Sequence, residues 1–340
     1  MRTMSNQQRL FMVESSQLLE AWRQARSAAM NFRGGMKWVK SGGYEYLVRL
    51  TDSRGNGKSL GKRDADTEDI HRLFVEGRTA AIERYDALSA RLKEQSKLNK
   101  AVGLGRLPRA VAIILSALDD RAAALDFRVV GTHALFAYET MAGVFCTQEL
   151  LASGDVDLLY DPRKKISLVA SKLDGRGLLG LLQSVDKTFA PITSGGFRAV
   201  NNDGFMVDLI TPVQDMRSER VSFADGDLVA SEVPGLQWLC NAPSVQSTVI
   251  AESGVPLIIN VPDPRAFAIH KAWLSDQPDR NPVKKPRDLA QAVMMLDMLR
   301  QYLPLFPLEQ EHLRYLPKEL INNFADVAEA SDIELPALRM

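Results

Sequence analysis

Residues 154–161 read Gly154-Asp155-Val156-Asp157-Leu158-Leu159-Tyr160-Asp161. Leu158 to Tyr160 is an apolar run closed by Asp161-Pro162, so the stretch predicts a strand that begins at about Asp155. Side chains alternate along a strand, which puts the carboxylates of Asp155 and Asp157 on one face. Two carboxylates aimed the same way are costly unless something positive lies between them. Hard oxygen ligands suit a divalent cation such as Mg²⁺.

The neighbouring segments give that pair a setting. Upstream, Phe127 to Val130 predicts a short strand, Gly131-Thr132 follows at once, and His133 to Ala142 has helical spacing. A strand that ends in Gly-Thr and feeds a helix presents backbone N–H groups at a positive helix end, which suits a phosphate. A Gly-Thr pair taken alone is equally an ordinary turn or cap. Downstream, Asn201-Asn202-Asp203-Gly204 is a hairpin turn between two strand-like runs. The second run holds Asp208 among Phe205, Met206, Val207, Leu209 and Ile210. A carboxylate in such a run must be paired, hydrogen-bonded or a metal ligand. Arg198 across the hairpin offers the first, a cation the last, and both stand open.

In that order, Gly131-Thr132, a helix, Asp155-Val156-Asp157 on a strand and a lone Asp208 on a later strand resemble the polymerase-β-type nucleotidyltransferase superfamily. The wording from Val129 to Glu139 is similar to a bacterial branch of it. The superfamily likeness covers about residues 125–215, and the branch likeness most of the chain. The resemblance implies an α+β fold, a small mixed β-sheet flanked by helices. It implies an NTP as substrate and two Mg²⁺ ions about 4 Å apart. Asp155 and Asp157 would bind both ions, and Asp208 the one at the attacking hydroxyl, whose proton it would accept. Gly131 and Thr132 would hold the β- and γ-phosphates. Acceptors in the superfamily include RNA 3′ ends such as those of tRNA, protein side chains and small molecules. One departure is the interval of 22 residues between Thr132 and Asp155, longer than in minimal members, which predicts an extended helix and loop over 139–153.

Other carboxylate chemistries fit less well. Glycosidases need two acids about 5 to 9 Å apart in opposed environments. Metal-dependent glycosyltransferases carry an Asp-x-Asp after an apolar strand, whereas here the apolar run follows it and Ser153-Gly154 precede it. A non-catalytic nucleic-acid-binding or regulatory protein that kept the fold is the rival from another class. Such a protein has no physical reason to retain three uncompensated acids.

Towards the N-terminus, Ser5 to Phe32 predicts a helix, residues 36–40 and 44–50 a β-hairpin, and 58–61 a third strand. Asp66 or Thr67 is expected to cap a helix running to about Lys100. Gly57-Lys58-Ser59 mimics the end of a phosphate-binding P-loop, but Asp52 stands where the first glycine belongs and the setting is a hairpin. From Arg33 to Arg63 there are eight basic residues against Glu45 and Asp52, with Trp38, Tyr44 and Tyr46 interleaved. Lys37, Trp38, Lys40, Tyr46 and Arg49 are therefore candidate nucleic-acid contacts. The same pattern suits a solvated hairpin whose lysines resist strand-to-strand aggregation.

Towards the C-terminus, Leu257 to Ile259 predicts a strand, Pro264 opens a helix to Leu274, and a proline-rich loop precedes a helix from Arg287 to Tyr302. Its expected apolar stripe is Leu289, Val293, Leu296 and Leu299, with Met294, Met295 and Met298 as core filling. These helices resemble the substrate-clamping helices of toxin-like nucleotidyltransferases. The likeness implies that Lys271 neutralises the triphosphate and that Arg287 and Asp288, with Arg198, support the site. Without that likeness, Lys271 is a lysine snorkelling from an amphipathic helix. From Leu303 onward the chain predicts a proline-broken helical appendage.

The expected organisation is residues 1–100 (helix, basic hairpin, long helix), 101–235 (nucleotidyltransferase core) and 236–340 (mostly helical). Hydrophobic content of 46% and charged content of 25% over 340 residues are those of a soluble globular chain. The formal net charge is zero, so any nucleic-acid signal is local. Cys146 and Cys240 are too few for a disulfide scaffold, and His71, His133, His270 and His312 lack zinc spacing. Met1 to Arg9 is polar, with no apolar core of signal-peptide length, and no run approaches the roughly 20 apolar residues that span a bilayer. We expect a cytoplasmic protein without a membrane partner; composition sets no oligomeric state.

Overall fold

The computed structural model describes residues 1–51, 55–214, 220–331 and 333. Asp52 and Arg54, counted above in the charge of the hairpin, and residues 334–340 of the expected appendage lie outside them. The fold is α+β. The chain opens with β1 (Arg2–Thr3), α1 (Asn6–Met30), β2 (Gly35–Ser41), β3 (Tyr44–Leu50), β4 (Gly57–Lys62) and α2 (Ala65–Ala101). There follow α3 (Arg109–Asp120), β5 (Phe127–Val130), a 3₁₀ turn (Gly131–Ala134), α4 (Leu135–Ala142), β6 (Val144–Phe145), α5 (Gln148–Leu151) and β7 (Asp155–Tyr160). Next come α6 (Ile166–Lys172), α7 (Gly177–Val185), β8 (Ala190–Pro191), β9 (Arg198–Val200), β10 (Met206–Pro212) and β11 (Ser231–Val233). The last elements are α8 (Leu236–Asn241), β12 (Ser244–Ile250), β13 (Pro256–Pro262), α9 (Pro264–Asp276), α10 (Lys285–Tyr302) and α11 (Lys318–Glu329).

The central sheet runs β5-β7-β10-β9-β8, with β11 pairing the second half of β10. β5 is antiparallel to β7, β7 parallel to β10, and β10 antiparallel to β9. Alternation sorts the two faces. Val156, Leu158 and Tyr160 of β7 and Val207 and Leu209 of β10 are buried in the main core with α3 and α7. The opposite face carries Asp155, Asp157 and Asp208, then Leu159 and Ile210, which pack under Leu236 and Leu239 of α8. The sheet is thus covered at one end of this face and open at the other. The β12–β13 hairpin docks beside β5, where Asn260 Nδ2 donates to the Phe127 carbonyl at 2.8 Å.

One apolar cluster runs from Leu107 to Ile333, so the C-terminal helices and the sheet share a core. Met294, Met295 and Met298 are buried in it as expected. The buried stripe of α10 differs from the expected one. Leu296 and Leu299 are buried, but Leu289 is 41% exposed, and the polar Asp288 and Gln291 point inward. Apolar periodicity misplaced that face because the helix turns polar side chains towards the site described below.

α1 and α2 pair into an arm capped by the three-stranded sheet β2-β3-β4. Ser5 and Gln8 form a capping box that starts α1. The cap of α2 is Asp64, whose carboxylate accepts from the Thr67 N–H while the Thr67 hydroxyl accepts from the Asp64 N–H, not Asp66 or Thr67. The sheet and Asp64 stand at one end of α2, and at 37 residues that helix is about 55 Å long. Its other end is anchored by Asn99, fully buried, whose Nδ2 donates to Ser15 Oγ (2.8 Å) and to the Gly254 carbonyl (3.0 Å). Among the described residues no helix is long and apolar enough to cross a membrane. Asn99→Ala leaves the buried Gly254 carbonyl without its side-chain donor. We expect it to cost about 1–3 kcal/mol in chemical denaturation and to speed proteolysis within α1 and α2.

Candidate active site

Parallel pairing sets Asp157 directly opposite Asp208 and Met206 opposite Asp155. Because both strands alternate in step, the three carboxylates converge on one face, each offering an oxygen within 4.8 Å of the others. β5 ends alongside, with Val130 opposite Asp157. There the chain turns at Gly131, with φ +64°, and a Cβ would run into the Asp157 carboxylate. Only glycine lets the backbone pass so close to that acid. Thr132 follows, buried, and its hydroxyl accepts from Gln291 Nε2 of α10 at 3.3 Å. The helix expected after Thr132 begins as the 3₁₀ turn and becomes regular at Leu135.

The electrostatics are those of crowded acids. Burial, then the charges of Asp155 and Asp208, push the Asp157 carboxyl up to about 7, against the pull of Lys271 and Lys284. Burial opposes ionisation of Asp155 too. The Ser153 hydroxyl, which donates at 2.5 Å, and the charges of Lys284 and Arg198 outweigh it and hold Asp155 below its usual range. Asp208 is bonded by Arg198, Nε to Oδ1 at 2.6 Å and Nη2 to Oδ2 at 2.5 Å. The cross-hairpin ion pair is therefore present in the same residue that completes the acidic triad. His133, stacked on Phe136, is kept neutral by burial, its pKa lowered to about 4.

A cavity of about 270 Å³ opens over the triad, walled by Gly131, Thr132, Arg198, His270, Lys271, Arg280, Lys284 and Arg287 and by the apolar Val233, Leu236 and Phe267. A larger one, about 870 Å³, adjoins it across Ser153, Asp155, Lys284 and Arg287. Lys271 reaches the smaller cavity from a buried position, and its Nζ donates to Asp288 at 2.7 Å. Arg280 also bonds Asp288, at 2.7 Å, while Arg287 Nη1 donates to the Ala152 carbonyl at 2.9 Å. Lys284, Arg280 and Gln291 were not among the expected site residues, and Ser153 and His270 stood out only for other reasons. Lys284 lines both cavities and, among the described residues, forms no ion pair. Its one outward signal was a Lys-Lys pair just ahead of Arg287-Asp288.

The hairpin candidates divide between two faces of the arm's sheet. Trp38 and Arg49 lie towards α2: Trp38 sits between Arg63 (5.0 Å) and His71 (5.7 Å), and Arg49 donates to the Gly35 and Asn31 carbonyls and covers Phe74. Lys40 shares that face at its exposed tip, opposite Glu45. Lys37 and Tyr46 belong to the opposite face, with Val39 and Val48 beside them.

Three oxygens converging beneath a glycine that admits them form a donor set suited to divalent cations. A carboxyl with a raised folded-state pKa keeps its proton in the folded chain, but not in the unfolded one, between about pH 4 and pH 7. Its contribution to stability is present at low pH and is lost as pH rises through that window. Asp157→Asn keeps the shape without the charge. In metal-free buffer at pH 8 we expect this variant to melt roughly 2–4 °C above wild type, with the gap closing towards pH 5. A lower melting point at pH 8 would contradict the crowded-acid account.

A family model described as Nucleotidyltransferase matches residues 109–316. No curated protein and no solved structure matches the chain. The matched span runs from α3 past α10, so it takes in the central sheet, the triad and the cations of the C-terminal helices. With more than half its length inside that match and the acidic site at its centre, the chain belongs to the nucleotidyltransferase family.

Proposed function

We propose that this chain is an Mg²⁺-dependent nucleotidyltransferase that moves an NMP from an NTP to an acceptor hydroxyl. The observation that carries the proposal is the convergence of Asp155, Asp157 and Asp208 beside the Gly131 turn. These three carboxylates would hold two Mg²⁺ ions. Bound there, Mg²⁺ supplies charge neutralisation of the triphosphate and acidification of the attacking hydroxyl. The hydroxyl oxygen bonds to the α-phosphorus, the α–β phosphoanhydride breaks and pyrophosphate leaves. Asp208 would take the hydroxyl proton.

The remaining roles belong to the walls. The backbone at Gly131 and Thr132 would hold the β- and γ-phosphates, and Gln291 fixes the Thr132 hydroxyl. Lys284, free of any ion pair among the described residues, adds positive charge at the phosphates. Lys271 adds charge from behind, with Asp288 and Arg280 holding it in place. Arg287 braces the loop before Asp155 through the Ala152 carbonyl. RNA, with a tRNA-like 3′ end, is the acceptor class that also engages the arm, where Lys37 and Tyr46 share one face and Lys40 stands at the tip; protein side chains are the other class.

Labelled NTPs, Mg²⁺ and either total RNA or cell lysate test this directly. Wild type should transfer label, and Asp155→Ala or Asp157→Ala should lower transfer by at least about 100-fold, the loss expected when a metal ligand is removed. Equal labelling by wild type and variants, or none by wild type, overturns the assignment and favours a binding module that kept the fold.

A further inference from the structure

Among the described residues, Arg198 is the one cation in an ion pair with the triad. It grips both oxygens of Asp208, whose side chain is 6% exposed on a strand paired along both edges. Its own side chain is different in kind. It is 32% exposed, rests near the Phe197 ring at 5.4 Å, and stands on a three-residue strand with Gly195 and Gly196 close before it. Of the two partners, the guanidinium is the one that can leave.

We propose that Arg198 is a resident counter-ion that sets the threshold for cation entry. This rests on the assignment of the triad as a divalent-metal site. A bidentate guanidinium takes one lone pair on each Asp208 oxygen and holds a positive charge beside the pairs that remain. A cation reaching Asp208 meets that charge at close range unless Arg198 swings away. The free protein then binds divalent cations weakly, because Arg198 repels the ion in every molecule in which it stays on Asp208. A nucleotide shifts that balance, since its phosphate oxygens offer the released guanidinium a new bidentate partner in the cavity that Arg198 already lines. Metal and nucleotide would thus load together rather than one after the other. Arg198 is a positioning residue for the cation, acting through Asp208.

Mn²⁺ titration of the full-length protein without nucleotide, followed by electron paramagnetic resonance of the free ion, tests the threshold. Arg198→Ala should bind Mn²⁺ at least about tenfold more tightly than wild type, as expected if Arg198 occupies Asp208 in nine molecules of ten. Arg198→Gln, which keeps a neutral hydrogen bond to Asp208, should fall between them and guards against misfolding of the Ala variant. A non-hydrolysable NTP analogue should narrow the gap between wild type and Arg198→Ala. Asp157→Ala serves as the control for where the ion sits. Binding that Asp157→Ala abolishes but that is equal or weaker in Arg198→Ala overturns the threshold and leaves the metal site standing. Binding that is absent from all proteins, or indifferent to Asp157→Ala, overturns the metal site and the threshold with it.

Discussion

The parallel pairing of β7 with β10, in the register that sets Asp157 opposite Asp208, is the constraint on which the site depends. A slip of one residue would turn Asp208 into the core and bring Val207 or Leu209 to the open face. The same register buries Val156, Leu158, Val207 and Leu209 on the other side, so hydrophobic burial enforces the meeting of the acids. Core energy thus holds together charges that repel each other. The strain shows in Asp157, whose carboxyl titrates near neutrality, and in Arg198, drawn onto Asp208.

Around this centre the structure distributes compensation unevenly. Asp155 has the Ser153 hydroxyl and the field of Lys284. Asp208 has a bidentate guanidinium. Asp157 lies against the Gly131 turn and, among the described residues, forms no ion pair. Behind the cavity, Asp288 binds Lys271 and Arg280 together, so two cations are kept near the acids without collapsing onto them. Lys284, among the described residues, forms no ion pair. Charges of both signs thus line one cavity, as the proposed reaction requires.

Much of the central fold was legible because period-two and turn chemistry are local. Asp155 to Tyr160, the turn at 201–204 and the strand through Asp208 could be read from alternation and Asn-Asp-Gly sequence alone. Register could not, since it depends on which strands meet. Nor could the Asp288 hub: Lys271 and Asp288 lie on either side of a proline-rich loop that carries Arg280, and only folding brings both cations within 2.7 Å of Asp288. The apolar stripe of α10 misled for the same reason, as Asp288 and Gln291 turn inward to serve the site. In the arm, the basic residues were visible, but their division between the two faces of the sheet followed from pairing that composition does not encode.

The central claim is that the acids on β7 and β10 are a metal–nucleotide site, and a crystal soaked with Mn²⁺ and a non-hydrolysable NTP examines it most directly. The account predicts anomalous density among Asp155, Asp157 and Asp208, with the triphosphate along Gly131-Thr132 and Arg198 released from Asp208. Nucleotide bound elsewhere, with no ion at the triad and Arg198 still on Asp208, would contradict it.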